Sequence, residues 1–196
     1  MITAVKQTLE GEWVRFTPLH LDNIYTHFAW NNDPELNHLD SELPYSKESF
    51  GQFKKRFERL LYHPPLNSQD FEIYAEDGNL IGVAYIADIS EYNRHCTISI
   101  TIGDRDYWGK GYGRDALKVV LGYCFGELGM HRVDSQTFEY NMAWKRLVEW
   151  AGFNREGVQR DYLFRDGRYW DKEVYSLLES EFRVRTLSVN GAADAA

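Results

Sequence analysis

Glycine occupies positions 109, 111 and 113 in the run YWGKGYG, after a strand-like stretch that ends at Gly103 and before a helical pattern that starts at Arg114. Side chains are therefore missing just where the chain turns into a helix. The unpaired amides and the macrodipole of a helix N-terminus favour an anion, and glycine lets successive N–H groups converge on it. Lys110 and Arg114 add positive charge, which Asp104, Asp106 and Asp115 partly offset. A pyrophosphate suits such a nest, each charge-assisted bond contributing about 1.5 to 3 kcal/mol. A plain turn is the bland alternative, although a turn rarely needs glycine at all three positions. Gly111, Gly113 and Ala116 also satisfy the dinucleotide fingerprint G-x-G-x-x-G/A. That fingerprint belongs directly after the first strand of an alternating βαβ chain, whereas here DRDYW separates Gly103 from Gly109 and hairpin-like runs come first. No Ser or Thr follows Lys110, so the run is not a P-loop.

GEWVRFTPL (11–19) reads as an opening strand, and LDNIYTHFAWNND (21–33) as an amphipathic helix with Pro34 just beyond. SKESFGQFKKRFERLLY (46–62) reads as a second helix closed by Pro64-Pro65. FEIYAEDGNLIGVAYIADI (71–89) splits into two strands at Asp77-Gly78, and HCTISITIGD (95–104) alternates like a third that pairs with the second. RDALKVVLGYCFGELG (114–129) is a helix that stops at Gly129, and its internal Gly122 and Gly126 imply close approach of another backbone. HRVDSQTF (131–138) is a strand, NMAWKRLVEWAGF (141–153) a short helix, and GVQRDYLFRDGRYWDKEVYSLLE (157–179) a hairpin turning at Asp166-Gly167. Residues 1–182 read as one α/β (α+β) domain of about seven strands and about four helices, with 183–196 a small, polar tail.

A net charge of −8 provides no basic face for nucleic acid and suits cationic partners better. The longest uncharged apolar run, NLIGVAYIA (79–87), is too short to span a bilayer, and MITAVKQTLEGEW carries no signal-peptide pattern. The expectation is a cytoplasmic protein with no membrane or nucleic-acid partner. Cys96 and Cys124 are expected to be buried free thiols, and the scattered histidines show no metal-ligand spacing.

WGKGYG, with the order of elements around it, resembles motif A (R/Q-x-x-G-x-G/A) of the GNAT superfamily of acetyl-coenzyme A N-acetyltransferases. W-N-N-D-P (30–34), ITIGD (100–104), Gly129 with His131-Arg132-Val133, Asn141, Ala151-Gly152-Phe153 and Glu156-Gly157 are similar to its RimJ/RimL branch, the ribosomal-protein N-terminal acetyltransferases. The resemblance covers nearly the whole chain. It implies the acyl-CoA N-acyltransferase fold, a mixed, mostly antiparallel sheet flanked by helices, with acetyl-CoA as the donor. By this resemblance the stretch Trp108, Gly109, Lys110, Gly111, Tyr112, Gly113 and Arg114 holds the pyrophosphate through its backbone amides. Ile100, Thr101 and Ile102 then bind the pantetheine arm and acetyl carbonyl, with Asn141 and Trp144 on the opposite side. Trp108 stands where the motif has Arg or Gln, and Trp144 where a small residue is usual. Val148 stands where many members have the tyrosine that protonates the departing thiolate, so no general acid is carried over.

The implied reaction is direct attack of a primary amine on the thioester through a tetrahedral intermediate stabilised by strand N–H groups. The acceptor is a protein N-terminal α-amine or a small-molecule amine. An α-amine costs about 1 kcal/mol to deprotonate at pH 7 and a lysine nearly 5, so a site without an evident base suits the former. Glu156 is the candidate base, with an ordinary ion pair to Arg155 or Arg160 as the alternative. Asn32 and Asp33 are candidate acceptor contacts, unless they only end the helix before Pro34. A non-catalytic CoA-binding sensor is the second reading, supported by Val148. Tyr162, Phe164, Tyr169, Trp170 and Tyr175 of the last hairpin divide between core packing and a candidate homodimer surface.

Overall fold

Period-two alternation over most of the chain builds one eight-stranded sheet in the order β1-β2-β3-β4-β5-β6-β8-β7, in a computed structural model that describes residues 8–183. The strands are β1 Leu9–Glu10, β2 Val14–Pro18, β3 Gln69–Ala75, β4 Leu80–Ser90, β5 His95–Ile102, β6 Arg132–Phe138, β7 Asn154–Arg165 and β8 Arg168–Leu178. Every neighbouring pair is antiparallel except β5 and β6. The two Asp-Gly turns close hairpins as expected, with positive φ at Gly78, Asp166 and Gly167.

Five α-helices accompany the sheet among the described residues: α1 Ile24–Asn31, α2 Pro34–Asp40, α3 Phe50–Tyr62, α4 Tyr112–Gly122 and α5 Met142–Ala151. The stripe Ala116, Leu117, Val120 and Leu121 of α4 joins Phe71, Ile73, Ile86 and Ile98 of the sheet in the main core. Each such large side chain contributes about 1.5 to 3 kcal/mol by burial. Ile24, Phe53 and Phe57 form a smaller cluster between α1 and α3.

Several expectations are corrected. The strand expected over 11–19 is β2, Val14–Pro18, and it is preceded by the two-residue β1, too short for any alternation to show. Pro34 does not merely end a helix but opens α2, with Asp33 as the N-cap accepting from the N–H groups of Glu35 and Leu36. The helix expected over 46–62 starts only at Phe50, where Ser49 and Gln52 form a capping box. Gly122 and Gly126 face open space, so no backbone packs on them, and α4 instead runs into a π-helical turn at Tyr123–Glu127. Cys96 and Cys124 are buried free thiols with their sulfurs 3.7 Å apart. In the last hairpin Tyr175 is core and Trp170 half-buried, while Tyr162, Phe164 and Tyr169 are exposed. The tail expected from 183 onward lies, beyond Arg183, outside the described residues. No helix among the described residues is long and apolar enough to cross a membrane.

One register positions everything that follows. Strands β5 and β6 pair only through His95–Thr97 and Arg132–Asp134. Beyond that, β5 stays on β4 and β6 stays on β8, so the two strands part and a cleft opens between them.

Candidate active site

The glycine run lies at the mouth of this cleft, where α4 begins. Gly111 is the N-cap of α4 with φ 101° and ψ −16°, and Gly109 has φ 71°. A Cβ on Gly111 would stand 2.4 Å from the Trp13 ring, so the position needs glycine for space as well as for conformation. Trp108 N–H is used by the Arg105 carbonyl at 3.0 Å and Arg114 N–H by the Gly111 carbonyl at 2.9 Å. The N–H groups of Gly109, Gly111, Tyr112 and Gly113 bond to no neighbouring carbonyl among the described residues. The nest is thus shorter at both ends than the sequence suggested.

Side chains around the nest divide. Tyr112 packs against Trp13 and Tyr107, and neither it nor Lys110 is among the residues lining the cleft. The Trp108 indole donates to the Ile102 carbonyl at 2.7 Å and lines the cleft, which ties the nest to the end of β5. The Arg114 guanidinium lies 5.1 Å from the Trp150 ring centre at the cleft rim.

From the nest a cavity of about 580 Å³ runs along Ile100, Thr101 and Ile102 to Asp40, with Asn141, Trp144 and Leu147 opposite. Trp144 wedges the parted strands, its indole donating to Ser135 Oγ of β6 at 2.9 Å. Asn141 caps α5 by accepting from Trp144 N–H at 3.1 Å and donates to the Leu39 carbonyl at 3.2 Å, joining α5 to the end of α2. Anionic, elongated and apolar parts of a coenzyme A therefore all find complements: a main-chain nest that a Cβ would fill, and an apolar slot leading from it. Val148 is fully buried in the core and lines none of this space.

A second cavity of about 290 Å³ lies under α1, α2 and α3, lined by Trp30, Asn31, Arg56 and Tyr85, and it shares Leu36, Asp40 and Thr101 with the first. Asp40 also lines a third opening between the parted strands, beside Ser99, Thr137 and Lys172. Asp40 itself is exposed, part of its surface opening onto these spaces. Desolvation by the surrounding protein raises its carboxyl pKa, and the Thr101 and Ser99 hydroxyls oppose the rise. Arg165, at the tip of the last hairpin, donates to the carbonyls of His38 and, at 2.7 Å, Ser41, placing positive charge at the C-terminus of α2 next to Asp40. In sequence Asp40 is one carboxylate in PELNHLDSE, and Pro34 as a helix opener was the one signal that could have put it at a helix end.

Glu156 is not brought to the cleft. It accepts from Arg132 Nη1 and Ser176 Oγ, each at 2.7 Å, and Arg132 above all holds its carboxyl down to about 2. A carboxylate so strongly stabilised as the anion is a poor base, so the expected role is corrected to an ion pair, with Arg132 rather than Arg155 or Arg160 as partner. Asn32 and Asp33 also stay outside the cavities. Asn32 Oδ1 accepts from Glu48 N–H at 2.8 Å, while Asp33 caps α2 and receives a fork of bonds from Arg105 that lowers its pKa. Their neighbours Trp30, Asn31 and Leu36 face the second cavity instead.

Comparison with known proteins agrees with this geometry. Residues 14–154 match the family described as Acetyltransferase (GNAT) domain. The chain is 30% identical over 110 residues to the uncharacterized N-acetyltransferase p20 of Bacillus licheniformis, covering 56% of this chain and 61% of that protein. It is 27% identical over 158 residues to spermidine N(1)-acetyltransferase of Vibrio cholerae, covering 80% of this chain and 87% of the relative. The fold superposes on the crystal structure of spermidine N-acetyltransferase from Vibrio cholerae in complex with CoA and spermine, with a TM-score of 0.78, 23% identity, and coverage of 87% of this chain and 98% of that one.

Proposed function

The chain belongs to the acetyltransferase (GNAT) domain family, and we propose that it transfers the acetyl group of acetyl-CoA to a primary amine. The observation that carries this reading is the parting of β5 from β6 beside the left-handed turn at Gly111. The main-chain N–H groups of Gly109, Gly111, Tyr112 and Gly113 would hold the pyrophosphate, and the slot along Ile100 to Ile102 the pantetheine arm. When bound, acetyl-CoA supplies an activated acyl group as its thioester. Beyond Thr97 the edge of β5 facing β6 has lost its partner, so its alternate N–H groups are available to the oxyanion of a tetrahedral intermediate. Positioning supplies most of the remaining acceleration.

The acceptor enters through the second cavity as a small amine that is cationic in water. A carboxylate at the junction of the cavities and a net charge of −8 both favour such a molecule. The finer RimJ/RimL resemblance points instead to a peptide α-amine, which the same junction could receive. The exposed Tyr162, Phe164 and Tyr169 support pairing with a second copy, and the buried free thiols fit a cytoplasmic setting.

Thermal shift with coenzyme A, followed by thiol release from acetyl-CoA with spermidine and with short peptides, tests the reading. Saturation at 100 times Kd stabilises the fold by about 2.7 kcal/mol, and no shift would remove the donor site. A shift without thiol release for any amine would restore the sensor reading, which the absence of an acid at Val148 favours.

A further inference from the structure

We propose that Asp40 is the carboxylate that receives the acceptor amine and takes its proton as the C–N bond forms; this rests on the transferase reading above. Asp40 is the only acidic residue among those lining the donor cavity, and the only one among those lining the second. It stands where the two spaces meet, against the part of β5 along which the acyl group would lie. Glu42, which shares the third opening with Asp40, accepts from Lys172 at 2.6 Å, and the carboxylates Glu156, Asp33 and Glu48 are held by Arg132, Arg105 and Arg56.

The step balances without any further reactant. The nitrogen lone pair forms the C–N bond while the carbonyl π pair moves onto oxygen, and the N–H proton passes to an Asp40 oxygen. Collapse of the adduct re-forms the carbonyl and expels the thiolate with the C–S electron pair. Asp40 then returns its proton to the thiolate or to water, leaving an amide and a thiol.

The environment of Asp40 is consistent with a base. Its exposed surface lets an amine reach it, the neighbouring protein shifts its carboxyl towards the protonated form, and the Thr101 and Ser99 hydroxyls on β5 oppose that shift. From β4 it faces Tyr85, whose own pKa is pushed up by burial and by the charges of Asp40 and Asp70 of β3. Arg56 of α3 lines the second cavity with Asp40 and Tyr85, Lys172 of β8 and Glu42 line the third opening, and Arg114 and Arg146 line the donor cavity.

The test uses the whole chain with acetyl-CoA and spermidine. With both the amine and Asp40 needing to be unprotonated, log kcat/KM rises with a slope of about two at low pH and about one above the Asp40 pKa. Asp40→Asn should bind coenzyme A as the wild type does, lose about 10² to 10⁴-fold in kcat/KM, and show a slope of one throughout. Asp40→Glu should recover part of the rate and the steeper limb. An Asp40→Asn variant that keeps activity within a few-fold of wild type, or an unchanged slope, overturns the assignment. Should Asp40→Asn not fold, Thr101→Val serves: it removes a hydroxyl that favours the anion, so the break in slope must move to higher pH, and an unmoved break overturns the proposal. A wild type that binds coenzyme A and acetylates no amine defeats the transferase reading itself, and Asp40's role with it.

Discussion

Asp115 Oδ2 accepts a 2.7 Å hydrogen bond from the main-chain N–H of Trp13, 102 residues earlier in the chain. The same oxygen accepts from Val14 N–H at 3.0 Å, so the first turn of α4 holds the start of β2. Trp13 in turn lies over Gly111, and its ring occupies the space that a side chain there would need. The nest is therefore shaped from behind by a strand that sequence order places far away.

Removing that tie should damage stability and donor binding together. Asp115 is buried, and Asp115→Ala leaves two amides without their acceptor, at about 1 to 3 kcal/mol each. Urea denaturation should show the loss, and a coenzyme A titration should show weaker binding. Asp115→Asn, which keeps one acceptor oxygen, should lie between Ala and wild type in both measurements.

The glycines of the nest should not be equivalent. Gly111→Ala meets the Trp13 ring at 2.4 Å and strains a φ of 101°, so coenzyme A affinity should fall by at least about tenfold, or roughly 1.4 kcal/mol. At Gly113 a Cβ would meet only a Leu147 methyl at 3.7 Å with no unusual φ, and the alanine variant should bind nearly normally. Isothermal titration of the two variants decides this, and a Gly111→Ala variant that binds coenzyme A as the wild type does would show that the nest is not the donor site.

Glu156→Gln should leave kcat/KM almost unchanged, because Glu156 does not touch the cleft. Its depressed pKa contributes stability that is present above the ordinary carboxylate range and disappears as pH falls through about 2. The pair is partly exposed, so the stability lost at pH 7 should stay under about 1 kcal/mol. A large drop in turnover would return Glu156 to the chemistry.

Asp70 predicts the opposite pH trend. It sits on β3 opposite Tyr85, and burial raises its carboxyl to about 6. A raised pKa means that stability is fully present below the unfolded value near 3.8 and is lost as pH climbs through about 6. Asp70→Asn should then stabilise the fold at pH 7 by up to about 3 kcal/mol and change little at pH 4. Chemical denaturation at the two pH values measures the difference.

Much of the fold was legible because its signals are local. The Asp-Gly pairs, the apolar stripe of α4 and the spacing of Gly109, Gly111 and Gly113 each act on neighbours a few residues away, and each lies in the structure where its chemistry requires. Pro34 shows the limit of local reading, since proline suits both the residue after a helix and the first residue of one, and only the Asp33 cap decides.

What the chain order alone determined is thus the kind of elements and the glycine turn that opens α4. The tertiary structure decided the rest: where β5 leaves β6, that Trp13 backs Gly111, that Glu156 belongs to Arg132, and that Asp40 faces the cleft. Whether a carboxylate is a base or half of an ion pair depends on solvent exclusion and on charges a few ångströms away, and those neighbours come from strands and helices distant in sequence.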